Sequence, residues 1–385
     1  MIPQADRRIK RVSIPEIEGN YSDYLRIVED MRDNAGHLLP DPNWLLADDV
    51  SHAPETYDKE VALASVGSKT KYSQRFSKMS TLLAPWIGND IPATPLMVGS
   101  YAKFLESCDV LGLWQANILD GMPPTNFYAA DLGSIMDLNL LFAFCERRGR
   151  PTNILEVGGG YGRLAEAAFN VFGRSIKYVM VDAVPASLYY SHKYLAKVLP
   201  AATIRSYYDE PDASDFQFDR NDISIVPAWH FERLNRLSYD VCVNIESMQE
   251  MNQQHVDHYL KLFNCVVKPR ATIYVSNSHE YYFRGVFRYP SNWQLLYRSN
   301  TPRSWTNNHP TEIFLKGNAD FSVQNSAVIS AYQFGLWQQL NPDNLLKRTS
   351  WQGVMLRVLA AAMRDIRSRL AIRSRLKRLI RHERM

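Results

Sequence analysis

The stretch NILEVGGGYGRLAEAAFNVFG, residues 153–173, places four glycines within the five positions 158–162. An apolar run precedes the glycines, and a helix-like run that begins at Arg163 follows them. A glycine-rich turn between a strand and a helix lets the backbone approach a ligand at the carboxyl edge of a sheet. The stretch therefore predicts a strand, a ligand-binding loop and a helix, in that order.

Downstream of this loop the sequence alternates between strand-like and helix-like segments. The main strand patterns and the helical patterns between them cover residues 176–182, 185–199, 239–247, 252–267 and 271–278. Repeated units of this length predict an α/β fold with a Rossmann-like, doubly wound and mostly parallel sheet.

The spacing of the glycines excludes two common nucleotide-binding loops. A dinucleotide fingerprint needs a glycine where Arg163 stands, and a Walker loop needs a Gly-Lys-Ser/Thr ending that is absent here. What remains is an acid followed by alternating glycines: Glu156, Gly158, Gly160 and Gly162.

The second predicted strand ends on Asp182, which stands 24 residues after Gly158. A carboxylate at the end of this strand can accept hydrogen bonds from both hydroxyls of a ribose. The sequence therefore predicts Asp182 as a cofactor-binding residue.

The glycine pattern resembles motif I of class I methyltransferases, which use S-adenosyl-L-methionine (SAM). The resemblance implies the Rossmann-like doubly wound sheet of that class and SAM as the cofactor. It also implies that the backbone at Gly158, Gly160 and Gly162 lies against the amino-acid end of SAM, and that Glu156 helps to hold the methionine ammonium group.

Three segments together are similar to a bacterial family of sugar O-methyltransferases, over roughly residues 120 to 320: EVGGGYGRLA, VDAVPASLYYSHKYL and VNIESMQEMNQQHVDHYL. In the last segment the family positions are held by Asn244, Ser247, Gln249, Glu250 and Met251. The resemblance implies methyl transfer to a sugar hydroxyl of a surface polysaccharide, a glycolipid or a nucleotide sugar, with Asn244 in the cofactor site. The N-terminal region and the basic tail depart from the family pattern, which leaves the identity of the acceptor open.

An alcohol is a poor nucleophile, so its methylation requires a base near the carboxyl edge of the sheet. Glu250 follows one predicted strand and His279 follows the next, and both are candidates for the catalytic base. Glu250 could instead be an acid at a helix N-terminus, and His279 a histidine of a surface loop.

Trp229 follows the third strand region, where its ring could stack on adenine or simply pack as a core residue. His255 and His258 lie three positions apart on a predicted helix, but no third ligand with suitable spacing accompanies them. We predict no metal site.

The chain is predicted to have three parts: a helical N-terminal region that covers the acceptor site (residues 1–130), a SAM-binding domain (131–335) and a basic amphipathic tail (336–385). Residues 347–385 contain twelve Lys and Arg and two acids, which gives this segment a charge of +10. Because the net charge of the chain is +4, the remaining residues carry a charge of −6. Such a tail could lie peripherally on an anionic membrane or mediate self-association. The acidic remainder and the absence of nucleic-acid-binding motifs argue against nucleic acid as a partner.

Four scattered cysteines without a CxxC pair, and no signal-like or membrane-spanning apolar run, indicate a cytoplasmic protein. Two other functions stay open. The chain could methylate another small hydroxylated metabolite, or it could be a noncatalytic scaffold with the SAM-binding fold in a membrane-associated glycan assembly complex.

Overall fold

The structure is a computed structural model of the 385-residue chain. It describes residues 20–40, 95–119, 129–145, 152–209, 220–236, 239–277, 287–301 and 310–317. All of these lie in the first of the two units into which the chain divides, residues 1–322. The basic tail and His279 fall outside the described residues, so their predicted roles stay predictions.

The described core is one eight-stranded sheet in the order β3-β4-β2-β1-β5-β6-β8-β7. Its strands are β1 (Thr152–Val157), β2 (Ile176–Asp182), β3 (Ile204–Ser206), β4 (Ile223–Pro227), β5 (Tyr239–Ile245), β6 (Val267–Ser276), β7 (Trp293–Asn300) and β8 (Pro310–Lys316). Strands β1 to β6 run parallel, and β8 and β7 add an antiparallel pair beyond β6. This sheet confirms the predicted fold class, an α/β fold with a Rossmann-like, doubly wound and mostly parallel sheet.

Seven α-helices lie in the described ranges: α1 (Tyr21–Asn34), α2 (Pro95–Cys108), α3 (Leu113–Leu119), α4 (Ala129–Phe144), α5 (Arg163–Phe172), α6 (Pro185–Val198) and α7 (Gln253–Val266). Helices α5, α6 and α7 connect successive strands of the parallel sheet, as the alternating sequence predicts. No helix among these is long and apolar enough to cross a membrane.

The central strands are buried along most of their length, which explains why their sequences are mostly apolar and do not alternate. Strand β1 pairs with β2 on one side and with β5 on the other, so Val157 lies beside both Val181 and Asn244. The carboxyl ends of the three strands therefore meet at one edge, and the residues that follow them form the candidate site.

The described parts of the N-terminal region are helical. Helix α1 buries one face at i, i+3, i+4 and i+7 spacing, formed by Tyr24, Ile27, Val28 and Met31. This face packs against α6, which places α1 next to the parallel sheet.

Candidate functional site

The glycine loop between β1 and α5 uses backbone conformations that only glycine adopts without strain. The φ angles of Gly158, Gly160 and Gly162 are 77°, 55° and 96°. A Cβ on Gly158 would lie 2.1 Å from the Oγ of Ser247, and one on Gly162 would lie 2.7 Å from Leu195 Cδ1. A Cβ on Gly160 would meet nothing within 4 Å, so the space beside this residue is open.

Most N–H groups of this loop already have partners within the protein. Those of Gly158 and Gly159 donate to Val181 O at 2.8 and 3.4 Å, and that of Gly162 donates to Gly159 O at 3.0 Å. The N–H of Gly160 donates to Asp182 Oδ2 at 2.9 Å. A phosphate-binding loop needs such groups free for the anion. The geometry therefore agrees with the sequence in excluding a pyrophosphate-binding loop.

The loop instead presents carboxyl groups. Glu156, at 4% exposure, accepts a hydrogen bond from the Tyr178 hydroxyl to Oε2 at 2.8 Å. Burial raises the pKa of Glu156 to about 7, although Tyr178 and the charge of Arg163 oppose the shift. Asp182, at 9% exposure, accepts from the backbone N–H groups of Gly160 and Val184, and burial raises its pKa to about 6.

Neither Glu156 nor Asp182 forms an ion pair with a lysine or arginine of the described ranges. A buried carboxylate without a cation beside it is stabilised by any ligand that brings positive charge or hydroxyl donors. The carboxylate acceptors at this edge therefore fit a ligand that carries an amine and a ribose diol, and they do not fit a phosphate.

The loop after β5 is held by a network around Asn244, whose side chain is fully buried. Its amide nitrogen donates to Val157 O at 2.9 Å and to Ser247 Oγ at 2.6 Å. Its amide oxygen accepts from Asn277 Nδ2 at 2.9 Å and from the Met248 N–H at 3.3 Å. The side chain thus has protein partners at both ends and shapes the loop, and its role in the cofactor site stays a prediction.

Strand β5 ends at Ile245, two residues before the predicted end at residue 247. The next residue, Glu246, adopts a left-handed backbone with φ of 54°, and its N–H donates to Ser276 O at 2.8 Å. Burial raises the pKa of the Glu246 carboxyl. The sequence-based reasoning missed this residue, because a glutamate after an apolar run carries no signal of a left-handed turn.

Glu250 closes a short 3-10 turn (Met248–Glu250) on this loop, and its N–H donates to Ser247 O at 3.1 Å. The structure thus places Glu250 at the predicted edge, where its side chain is half-buried. In the described ranges, no three His, Cys, Asp or Glu side chains are grouped so that they could hold a metal ion.

Trp229 follows β4 and is only 8% exposed. Its Nε1 donates to Asp30 Oδ2 of α1 at 2.7 Å, and the same oxygen accepts from the Tyr208 hydroxyl at 2.6 Å. His230 lies 3.0 Å from that oxygen through Nε2, and these contacts bring the pKa of Asp30 to about 2 although burial alone would raise it. This geometry favours the packing alternative for Trp229 over adenine stacking: the indole fastens α1 to the edge of the sheet.

A second residue that the sequence-based reasoning missed is Arg163, the first residue of α5. Its guanidinium forms an ion pair with Asp137 at 3.0 Å and donates to Ser134 Oγ at 2.9 Å, both on α4. The Tyr274 hydroxyl of β6 donates to the other oxygen of Asp137 at 2.7 Å. Arg163 therefore fixes the start of α5, and with it the glycine loop, to α4. The signal in the sequence that could have drawn attention to Arg163 is its place in the loop, where a dinucleotide fingerprint has a glycine.

No protein-family profile and no curated protein matches this sequence. Solved structures match parts of it. One is described as methyltransferase yhhF from Escherichia coli, with 13% identity, a TM-score of 0.33, and 47% of this chain and 84% of that chain covered. TrmN from Thermus thermophilus has 13% identity, a TM-score of 0.32 and coverage of 49% and 52%. A TehB-like SAM-dependent methyltransferase from Corynebacterium glutamicum has 12% identity, a TM-score of 0.31 and coverage of 58% and 100%. Because these identities and TM-scores are low, the functional proposal rests on the residues of the site.

Proposed function

We propose that this protein is a SAM-dependent O-methyltransferase that acts on a sugar hydroxyl. The observation that carries the proposal is the chemistry of the glycine loop. Its N–H groups are consumed within the protein, while Glu156 and Asp182 stand buried at its edge without cationic partners among the described residues. Among nucleotide-like cofactors, SAM combines a cationic amine with a ribose diol and has no phosphate.

When bound, SAM supplies an electrophilic methyl group on a sulfonium. Glu156 lies under the loop and holds the ammonium group, because a cation is the partner that its carboxylate lacks. Asp182 takes the ribose hydroxyls, since two backbone N–H groups already fix the carboxylate at the end of β2 and leave further lone pairs available. The open space beside Gly160 lets the ligand lie against the loop.

Transfer to an alcohol requires that a protein group take the hydroxyl proton while the new O–C bond forms and the S–C bond breaks. The base comes from the loops after β5 and β6, for which Glu250 and His279 are the candidates from the sequence. The sugar as acceptor rests on the resemblance of residues 120 to 320 to sugar O-methyltransferases. Peripheral membrane contact or self-association through residues 347–385 is proposed from the +10 charge of that segment.

Calorimetric titration of the full chain with SAM, S-adenosylhomocysteine (SAH) and NAD⁺ tests the cofactor. We expect binding of SAM and SAH and none of NAD⁺. Methyl-labelled SAM is then incubated with methyl glycosides of glucose, galactose, mannose and rhamnose and with UDP-glucose, and transfer is followed by mass spectrometry. Binding of NAD⁺ with no binding of SAM would overturn the proposal. Transfer only to non-sugar hydroxyl compounds would replace the sugar by another small metabolite.

A further inference from the structure

We propose that Glu246 is the carboxylate that faces the reacting centre, where it receives the proton of the acceptor hydroxyl. This inference rests on the proposed methyltransferase function and adds a residue that the sequence did not indicate. In this arrangement Glu250 and His279 are left to bind and orient the acceptor. Three independent features of Glu246 support it.

The first feature is its backbone. Among the described residues, two that are not glycine have positive φ: Glu246 at 54° and Arg270 at 63°. Arg270 lies where the pairing of β5 with β6 shifts register between Tyr239 and Val241, so a bulge accounts for its conformation. Glu246 lies outside the paired strand and no bulge explains it. A residue with a side chain thus adopts a left-handed backbone at a turn that glycine would make without strain, which is typical of functional sites.

The second feature is its position. The neighbouring residue Ser247 packs directly on the glycine loop, since a Cβ built on Gly158 would lie 2.1 Å from its Oγ. The two loops are further joined through Val157 O, which accepts from Asn244 Nδ2 at 2.9 Å and from Ser247 Oγ at 3.3 Å. The chain at Glu246 is therefore fixed beside the loop that we assign to the cofactor.

The third feature is the surroundings of the side chain. All seven residues of β5 are buried, and Glu246, the next residue, is exposed to solvent. Even so, burial raises the pKa of its carboxyl against the opposing charge of Arg163. An exposed side chain at this edge of the sheet can be reached by an acceptor hydroxyl. A carboxylate with a raised pKa in such a place is a better base near neutral pH than an ordinary surface glutamate.

The experiment compares Glu246→Gln with Glu250→Gln in the full chain. For Glu246→Gln we expect turnover on the sugar panel to fall by roughly 10²- to 10⁴-fold, because the proton has no acceptor. For Glu250→Gln we expect a raised KM with a smaller change of kcat. Glu246→Asp should recover part of the lost turnover.

A binding measurement makes the test independent of the acceptor. SAM carries a positive sulfonium and SAH does not, so a carboxylate at the reacting centre favours SAM over SAH. Titration of each variant with both ligands should show that Glu246→Gln lowers the preference for SAM by about tenfold, while affinity for SAH stays unchanged. Arg270→Gly, at the opposite end of the sheet, is the control and should leave both affinities unchanged.

Measurements of thermal stability distinguish a variant that has lost its function from one that has lost its fold. Glu246→Gly and Arg270→Gly should each raise Tm by about 1–3 °C, because relief of the left-handed strain exceeds the added freedom of the unfolded chain. Glu246→Gly should be as inactive as Glu246→Gln, so an inactive variant that is more stable than the wild type excludes damage to the fold.

Two outcomes are distinguishable. If the wild-type protein binds no SAM, the proposed function fails. If it binds SAM and the Glu246→Gln variant keeps both the SAM-over-SAH preference and turnover within threefold of wild type, the function stands and the role of Glu246 is refuted. If no compound of the panel is methylated, the binding preference alone decides.

Discussion

Two pairs of acidic residues at opposite edges of the sheet differ in whether a cation lies beside them. At the amino edge, Asp222 forms ion pairs with Lys177 at 3.1 Å and Arg174 at 3.6 Å, and Asp240 pairs with Lys268 at 3.0 Å. Both aspartates also accept backbone N–H groups, one from residue 203 and one from residue 153. Their charges are compensated within the protein.

At the carboxyl edge, Glu156 and Asp182 are buried without such cations among the described residues, and burial raises the pKa of each. Acidic residues on different strands of one sheet thus serve two purposes. Compensated acids join strands to one another, whereas uncompensated acids are stabilised only when a ligand arrives. This difference locates the site without reference to any motif.

The largest effect that would test this comparison is expected from Gly158→Ala. The positive φ of 77° and the 2.1 Å approach to Ser247 Oγ should lower the free energy of unfolding by about 2–4 kcal/mol, and displacement of the loop should weaken SAM binding at least a hundredfold. Gly173→Ala at the amino edge is the control. Its φ of 55° with nothing within 4 Å predicts strain without steric overlap, hence lower stability and unchanged SAM affinity. Equal losses of affinity would remove the distinction between the edges. Chemical denaturation and calorimetry measure both quantities.

A smaller effect is expected from exchanging one acid on each edge. Asp182→Asn should weaken SAM binding by about 1.5–3 kcal/mol, ten- to a hundredfold, because it removes a charge-assisted contact to the ribose. Asp222→Asn should leave SAM binding unchanged and lower stability in a salt-dependent way, since it removes two ion pairs. A variant of Asp182 that stays folded and binds SAM like the wild type would contradict the assignment.

The smallest effect is a dependence on pH. The folded-state pKa values of Glu156 and Asp182, about 7 and about 6, lie above their ordinary values of 4.5 and 3.8, so the folded state binds more protons than the unfolded state in that range. These two groups should therefore lower the free energy of unfolding of the ligand-free protein as pH rises from about 4 to 7. SAM requires the ionised carboxylates, so its affinity should rise about tenfold between pH 6 and 8.

Thermal melts with and without SAM across this pH range measure both trends. The Glu156→Gln variant is the control, because it cannot titrate at position 156 and should show a flatter profile. A SAM affinity that falls with rising pH would contradict the assignment of uncompensated acids to a cationic ligand.

The sequence located the parts of this site that depend on local pattern. The loop at 158–162 and strand β2 were predicted with their observed positions, because glycine spacing and apolar runs are local properties. Asn244 was assigned to the cofactor site from its sequence motif, whereas its hydrogen-bond partners in the protein could not be predicted from the sequence. Those partners, Val157 and Asn277, are 87 and 33 residues away in the chain.

Glu246 illustrates a second limit of prediction from the sequence, which concerns backbone conformation. Its left-handed conformation occurs beside contacts that are distant in sequence, Ser247 against Gly158 and its own N–H on Ser276 O, and the propensity of glutamate does not predict it. Arg163 is the intermediate case: its departure from the dinucleotide fingerprint was noted in the sequence, but its ion pair with Asp137, 26 residues away, was not predicted.

The attachment of α1 by Asp30 also has a consequence for how the chain is made. The contacts of Asp30 with Trp229 and His230 span 199 and 200 residues of sequence. At about 5–20 residues per second, synthesis of that interval takes roughly 10–40 s. Until α6 has been synthesised, the apolar face of α1 has no helix of the parallel sheet to pack against, and the contacts of Asp30 come later still. A ribosome-bound chain that stops before residue 185, where α6 begins, therefore exposes Tyr24, Ile27, Val28 and Met31 to solvent.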